Sequence, residues 1–287
     1  MPEDRSVYAG RSAVLATMHG KEQAVAPAFM DAAGLTVMPA YNLDTDALGT
    51  FTGEIPRRGT MLEVAIAKAR LGMQAAGLPL GIASEGSFGP HPAFTFAPGG
   101  IEVLVFVDSE TGITIHETLI VDETNFAHVV AIPGDRLDAF LARVGFPKHG
   151  LIVRPNSGDF HPGLCKGIVD RRSLDHAVVA MAAISQDGRA CIETDMRAHF
   201  NPTRMSSLAV VAKRLALRLT TNCASCAAPG WGRIDVARGL PCELCGTPTT
   251  LVAVEVFGCA ACDYREERPR RDGQAYARPI NCPECNP

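Results

Sequence analysis

Short unbroken apolar runs alternate along the chain with longer stretches in which apolar residues recur at helical spacing. Ser12 to Thr17 (SAVLAT) reads as a short buried strand. His19-Gly20-Lys21 follows as a turn, and a helix then runs to about Ala33, closed by Gly34. Leu35 to Ala40 resembles a second strand, and the polar, glycine-containing stretch from Asn42 to Pro56 reads as a loop. Thr60, with Glu63 three residues on, makes a capping-box pattern that opens a helix to about Ala76, ended by Gly77. Leu80 to Ala83 predicts a short strand leading into Ser84-Glu85-Gly86-Ser87-Phe88-Gly89, a glycine-rich turn.

Farther on, Ile101 to Asp108 (IEVLVFVD) and Ile113 to Val121 predict two antiparallel strands joined at Thr111-Gly112. Arg136 to Val144 reads as a helix, Gly150 to Arg154 as a strand, Ser173 to Gln186 as a helix and Ala190 to Asp195 as a strand-like piece. Ser206 to Leu219 is a long amphipathic helix that ends this region. Strands mixed with helices indicate an α/β domain, with one long mixed central sheet flanked by helices, over residues 1–220. The boundary falls at Thr220 to Asn222, and a small module of different composition fills residues 221–287.

Composition narrows the class. The chain has 287 residues, 47% hydrophobic and 20% charged, with a formal net charge of −4. That suits a globular protein and gives no electrostatic footprint for sequence-independent DNA binding. No run of about 20 apolar residues is present, so no membrane span is expected. The polar start, MPEDRSVYAGRS, carries no targeting segment, and the protein is read as cytoplasmic. In that setting ten cysteines point to metal rather than to disulfides.

Eight of the ten cysteines form four Cys-x-x-Cys pairs: Cys223/Cys226, Cys242/Cys245, Cys259/Cys262 and Cys282/Cys285. Two such knuckles complete a tetrahedral four-sulfur site, so the module is expected to hold two structural zinc ions as a double zinc ribbon. A segment with so few large apolar residues buries little core, and metal supplies folding free energy in its place. Two pairings fit the spacing. One joins 223/226 with 242/245 and 259/262 with 282/285; the other joins 242/245 with 259/262 and leaves the outer pairs together. Thr249 to Phe257 is a strand-like run before Gly258. Trp231, Arg233 and the stretch Arg265-Glu266-Glu267-Arg268-Pro269-Arg270-Arg271 offer a surface for nucleic acid or protein, against the simpler reading of a solvated charged strand end.

Three segments bring polar groups to strand ends, where α/β folds usually place their sites. Thr17-Met18-His19-Gly20-Lys21 is a strand-to-helix turn whose N–H groups and lysine suit an anion. Glu63 and Lys68 share one helix, and Ser84-Glu85-Gly86-Ser87 supplies a carboxylate after a buried strand. His91, in Ser87-Phe88-Gly89-Pro90-His91-Pro92, suits a phosphate or a rigid turn, and His161 with Cys165 is a lone potential metal pair. Glu193-Thr194-Asp195-Met196-Arg197-Ala198-His199-Phe200-Asn201 is either a salt-bridged loop or a site wall particular to this protein.

In order and spacing these segments resemble the inosine triphosphate pyrophosphatase-like superfamily, which hydrolyses non-canonical purine nucleoside triphosphates to monophosphate and pyrophosphate. The resemblance rests on Val14-Leu15-Ala16-Thr17 leading to Lys21, on Gly59-Thr60-Met61-Leu62-Glu63-Val64-Ala65-Ile66-Ala67-Lys68-Ala69, on Ser84-Glu85-Gly86-Ser87, and on Asn201-Pro202-Thr203-Arg204 as a turn before the last helix. It spans roughly residues 12 to 219. The family's first turn is one residue longer and usually carries asparagine at His19, two aspartates commonly stand where Ser84-Glu85 do, and the last turn here lacks a histidine. The resemblance implies that Glu63 and Glu85 coordinate Mg²⁺, with Glu85 also acting on the attacking water. It implies that Thr17, His19, Lys21, Lys68, Ser84, Ser87 and Arg204 bind the nucleotide. The whole chain, ribbons included, also looks like a member of a bacterial family of unassigned function. Two readings follow: a metal-dependent nucleotide pyrophosphatase, or a non-catalytic nucleotide sensor or nucleic-acid or protein adaptor that uses the zinc ribbons. A homodimer braced by the ribbons is a third role for the module.

Overall fold

The computed structural model describes residues 6–40, 43, 59–158 and 164–287. The chain divides into two compact units, Tyr8–Ala216 and Leu217–Pro287, the latter grouped with Ser6 and Val7.

The Tyr8–Ala216 unit is mixed α/β. In chain order its elements are β1 (Ser12–Ala16), α1 (Glu22–Ala33), β2 (Thr36–Pro39), α2 (Met61–Ala76), β3 (Leu80–Pro90), β4 (Pro98–Asp108), β5 (Thr114–Val121), β6 (His128–Ala131), α3 (Asp138–Val144), β7 (Leu151–Pro155), β8 (Cys165–Ile168), α4 (Arg171–Ile184), β9 (Ala190–Thr194) and α5 (Pro202–Leu219), whose last turn passes into the second unit. The described strands make two sheets rather than the single long one expected. One has the order β2-β1-β3-β4-β5, the other β6-β9-β7-β8. In the first, β1 pairs in parallel with β2 and β3, and β3, β4 and β5 form an antiparallel meander. The second is antiparallel throughout.

Each sheet has its own core. Ala65, Ala69 and Met73 of α2 pack on Val14, Ala16, Ala83, Val105 and Val107 of the five-stranded sheet. Small residues set the depth of that contact: a Cβ on Gly81 would collide with the Met73 side chain and come within 2.9 Å of the Ala69 carbonyl. On the four-stranded sheet, Phe140, Leu141 and Val144 of α3 join Leu174, Val178 and Met181 of α4 over Leu151, Val153 and Ile192. Burying these side chains stabilises the unit by about 1.5–3 kcal/mol for each large one.

Two local expectations are corrected. Ser84 to Gly89 is not a turn: β3 continues through it to Pro90, because every residue from Leu80 to Pro90 pairs in unbroken register with β4, from Asp108 back to Pro98. Glycine weakens a strand locally, but a full-length partner restores the ladder. Arg204 does not precede the last helix but sits in its first turn, since α5 starts at Pro202, a residue suited to helix starts.

The Leu217–Pro287 unit holds a three-stranded antiparallel sheet of β10 (Gly232–Arg238), β11 (Val252–Gly258) and β12 (Arg265–Pro269), in that order. Its small apolar cluster is Cys223, Trp231 and Phe257, with Cys259 and Cys262 packed against it. Among the described residues no helix is long and apolar enough to cross a membrane.

Candidate functional site

The first site grows from the C-terminal end of β1. Thr17, buried, accepts the His19 N–H through Oγ1 at 3.1 Å and so tightens the turn. That turn delivers Lys21, the residue capping α1, into the interior, where its Nζ donates to Ser84 Oγ at 2.9 Å. Lys68, buried on α2, reaches Glu85 with Nζ 2.8 Å from Oε2. Successive strand residues project to opposite faces, which is why neighbouring Ser84 and Glu85 meet cations from different helices.

Arg204 completes the set. Its Nε donates to Glu102 Oε1 at 2.5 Å and one terminal nitrogen to the Met196 carbonyl at 2.6 Å, and its guanidinium lies 5.4 Å from the centre of the Phe88 ring. Asn201, fully buried, accepts the Arg204 backbone N–H through Oδ1. Gly86 makes room for the pair, because a Cβ there would run into the guanidinium and the Glu102 carboxylate. The Glu193–Asn201 segment supplies a further wall: Asp195, fully buried, holds Arg197 by two-pronged contacts and accepts the Gly167 N–H, while Glu193 pairs with Arg154. His199 stacks on His19 with ring centres 4.9 Å apart.

The charges do not cancel. Glu85 pairs with Lys68, Glu102 with Arg204 and Asp195 with Arg197. Among the described residues Lys21 has no carboxylate in contact, and its ammonium donates to a neutral hydroxyl. Burial, and then Arg204, push the Lys21 amine down to about 8; Glu102 and Glu85 oppose that shift, and Lys68 adds to it. Burial, followed by Lys21, His199, Arg197 and Arg204, pushes His19 down to about 3, so its imidazole is neutral.

Two of the expected residues stand apart. Glu63 is exposed, and its carboxylate closes the capping box, accepting the Thr60 N–H at 2.8 Å and the Thr60 hydroxyl at 2.9 Å. Those two bonds lower its pKa. Ser87 is exposed on β3. The structure therefore buries Thr17, Lys21, Lys68, Ser84, Glu85 and Arg204, with His19 half-buried on the β1–α1 turn, and leaves Glu63 and Ser87 exposed. Sequence reasoning missed Glu102, although an acid inside the apolar run IEVLVFV was a signal. His91 is a brace: Nε2 lies 2.8 Å from Asp122 Oδ1, and Nδ1 accepts the N–H groups of Ala93 and Phe94. His161, the partner suggested for Cys165, lies outside the described residues.

The second site is the cysteine module. Cys223, Cys226, Cys259 and Cys262 form one group and Cys242, Cys245, Cys282 and Cys285 another, each with its sulfurs within 4.8 Å of one another. Neither pairing read from the spacing holds: first joins third and second joins fourth. The strands impose this crossing. The 223/226 and 259/262 knuckles flank the β10–β11 ladder, where Gly232 pairs with Gly258, while 242/245 sits beyond its other end. The final knuckle is drawn to 242/245 by the Glu243 N–H to Ala277 carbonyl bond and the Ala277 N–H to Pro241 carbonyl bond.

The sulfur separations of 3.9 Å (Cys223–Cys262), 3.6 Å (Cys226–Cys259), 3.9 Å (Cys242–Cys285) and 3.5 Å (Cys245–Cys282) fit a tetrahedron. Zinc–sulfur bonds of about 2.3 Å give edges of about 3.8 Å. Both leading knuckles need a left-handed residue after the second cysteine; Gly246 (φ 74°) supplies it freely and Ala227 (φ 59°) under strain.

The module's basic stretch is internally paired. Arg233 and Arg271 contact Glu255, Arg268 contacts Glu266, and Arg270 contacts Asp272. Trp231 is buried and stacks on Tyr264 at 5.2 Å. Residues 217–287 contain eight arginines and eight carboxylates, before any thiolate charge. That balance gives the segment no net positive charge from its side chains.

Among curated proteins, none matches this chain. A family model described as a domain of unknown function, DUF6671, matches residues 68–287, taking in Lys68, Ser84, Glu85, Glu102, Arg204 and all eight knuckle cysteines. With that match covering most of its length, the chain belongs to the DUF6671 family.

Proposed function

We propose that the Tyr8–Ala216 unit binds the phosphate chain of a nucleotide at the β1–β3 strand ends and, with Mg²⁺, hydrolyses it as a nucleoside triphosphate pyrophosphatase. The observation that carries this reading is Lys21, a buried ammonium with no carboxylate in contact among the described residues, beside two further buried cations already matched to acids. A buried charge is costly unless it is compensated. A phosphate placed against Lys21 compensates it, and the turn from Thr17 to Lys21 presents the start of α1 to the same anion. The motif order shared with the inosine triphosphate pyrophosphatase-like superfamily supports the same assignment.

The residues present suit a magnesium ion that arrives with its nucleotide. Mg²⁺ uses one or two protein carboxylates and fills its shell with waters and substrate phosphates. Glu85, now paired with Lys68, would be the protein's share, and Lys68 would then face the phosphate; Glu63 stays with its helix cap. When bound, the ion neutralises developing charge on the phosphate oxygens. Lys21 and Lys68 hold the chain, Glu85 orients the water that attacks the α-phosphorus, and Arg204, fixed by Glu102, keeps the far wall rigid. The two cysteine groups are read as closed structural zinc sites, which leave no coordination position for a substrate.

A second reading, a non-catalytic nucleotide sensor, draws on one observation. Among the described residues the only groups of three or more metal-ligating side chains are the cysteine clusters. One experiment separates the two. Purified, zinc-loaded protein is incubated with Mg²⁺ and a panel of canonical and deaminated nucleoside triphosphates, and pyrophosphate and phosphate release are measured separately. Pyrophosphate from one base class, lost in Glu85→Gln, is the expected result. Nucleotide binding without turnover would establish the sensor instead, and absence of binding would refute both.

A further inference from the structure

The hairpin of β3 and β4 ends in a tip that carries two exposed aromatic rings. Phe96 is 90% exposed and Phe94 57%. An apolar surface held open in this way is one that a ligand can cover. The tip is firmly built. The His91 N–H donates to the Ala97 carbonyl at 2.8 Å and the Ala97 N–H to the Phe94 carbonyl at 2.9 Å. His91 Nδ1 accepts the N–H groups of Ala93 and Phe94. Its ring stacks on Phe94 with centres 5.3 Å apart, and the Phe94 ring lies 6.2 Å from that of Phe96. Gly99 leaves room for the buried His91, since a Cβ there would collide with it.

Beside the tip lies a cavity of about 630 Å³, a volume usual for small-molecule sites. Three segments wall it: the tip with Phe96, the connection from β5 to β6 with Asn125 and Phe126, and the last turn of α3 with Arg143. Each wall is tied to the next. His91 Nε2, at the tip, lies 2.8 Å from Asp122 Oδ1 on the connection, and Asn125 Nδ2 donates to the Val144 carbonyl of α3 at 3.0 Å. Asn125 Oδ1 in turn accepts from Asn201 Nδ2 at 2.9 Å. Walls fixed before binding spare a ligand the cost of ordering them. The cavity is separate from the Lys21 site: Gly89 lines it, and Gly89 stands about 13 Å along β3 from Glu85.

The cation in this cavity is unmatched. Arg143 is exposed and lies over the Phe140 ring, 5.6 Å from its centre, and among the described residues no carboxylate touches it. Asp122 serves His91 and Glu193 serves Arg154, while Glu123, exposed beside the same wall, makes no ion pair with Arg143. We propose that the cavity binds a planar aromatic acid, which sets its rings against Phe96 and Phe126 and its acidic group on Arg143. The inference goes beyond the phosphate-site reading and shares no ligand-contacting residue with it. Aromatic rings gain from offset or edge contacts with other rings. The guanidinium fork matches the two oxygens of a carboxylate and holds them by charge-assisted hydrogen bonds. A neutral aromatic would leave Arg143 unmatched, and an aliphatic acid would forgo the ring contacts. The two features select a ligand that carries both.

The full-length, zinc-loaded protein is titrated with naphthoate, with neutral naphthalenemethanol and with cyclohexanecarboxylate, followed by calorimetry and by backbone amide shifts in nuclear magnetic resonance. Naphthoate should bind with its largest shifts at the hairpin tip, the β5–β6 connection and the end of α3, and the other two probes should bind at least about tenfold more weakly. Phe96→Ala and Arg143→Gln should each weaken naphthoate about tenfold, and Arg143→Lys less. Both side chains are exposed, so the variants should melt as wild type does, and the shift map of wild type stands without them. Naphthoate that fails to bind, that shifts amides elsewhere, that binds no better than the two partial probes, or that binds both Phe96→Ala and Arg143→Gln as tightly as wild type would overturn the assignment.

Discussion

The crossed cysteine pairing is open to a direct test. In the double variant Cys223→Ser/Cys226→Ser, the first group keeps only Cys259 and Cys262, too few to hold a tetrahedral ion. The two ends of that group are 39 residues apart, and those of the second 43. Treated as chain cross-links of that span, each contributes about 4 kcal/mol by restricting the unfolded chain. Zinc in a site of this kind supplies about 10–16 kcal/mol in all. Loss of one site is therefore a large perturbation, but the other still exceeds the loop-closure cost and stays loaded. Metal content should fall from two ions to one. Alkylation followed by mass spectrometry should then find Cys259 and Cys262 newly reactive, with Cys242, Cys245, Cys282 and Cys285 protected. The reciprocal variant, Cys282→Ser/Cys285→Ser, should free Cys242 and Cys245 alone. If the first variant instead exposed Cys242 and Cys245, the sequential pairing would be right; exposure of Cys282 and Cys285 would favour the nested one. Either outcome sinks the crossed arrangement.

Lys21→Met removes a buried cation that costs stability while it is charged. Its folded pKa of about 8 lies below the unfolded 10.5, so the penalty, about 3 kcal/mol, is complete below the folded value and vanishes above the unfolded one. The variant should thus be more stable than wild type in urea melts at neutral pH, with the gap closing as pH rises from about 8 to 10.5, and it should lose tripolyphosphate binding. A gap that does not change with pH would show that Lys21 is not buried as a cation. Glu63 distinguishes a cap from a metal ligand: Glu63→Gln should keep both stability and any turnover, because glutamine also serves in a capping box, whereas Glu63→Ala should cost about 1 kcal/mol of stability. A large loss of turnover in the glutamine variant would restore Glu63 to the metal site. Ala227→Gly relieves the left-handed strain after Cys226 and should stabilise the metal-loaded module by about 1 kcal/mol, read as a higher chelator concentration at half-unfolding.

Local signals carried much of the fold. The Thr60-x-x-Glu63 box, Gly34 and Gly77 marked helix ends that the backbone confirms, with both glycines left-handed at their caps. Each of those devices acts within one turn of chain, so one sequence suffices to read it. The errors lie where distant partners decide. Ser84-Glu85-Gly86-Ser87 looks like a turn by composition, yet its conformation is set by Val103, Glu102 and Ile101 across the ladder, far along the chain. Likewise, spacing among four equivalent knuckles contains no information on their pairing. The register of β10 on β11 decides it, and that register depends on how Gly232 and Gly258 face each other.

The buried site divides along the same line. Thr17, Lys21, Lys68 and Glu85 were legible because they stand in short motifs at strand and helix ends. Glu102 was not, because it reaches the site through tertiary pairing, and Asp195 and His199 stood in a segment that read equally as a salt-bridged loop or a site wall. Yet they change what the motifs mean. Taken alone, three cations and one glutamate form a strongly basic pocket that any anion would enter. With Glu102 on Arg204 and Asp195 on Arg197, two of those carboxylates spend their charge on holding walls rigid, and the uncompensated charge is confined to Lys21 and the turn around it. A diffuse basic pocket attracts ligands by total charge and loses them to salt, whereas one buried cation among matched pairs selects by position. The affinity of tripolyphosphate should accordingly fall less with added salt than that of a ligand held by all three cations, in proportion to the few charges it newly neutralises.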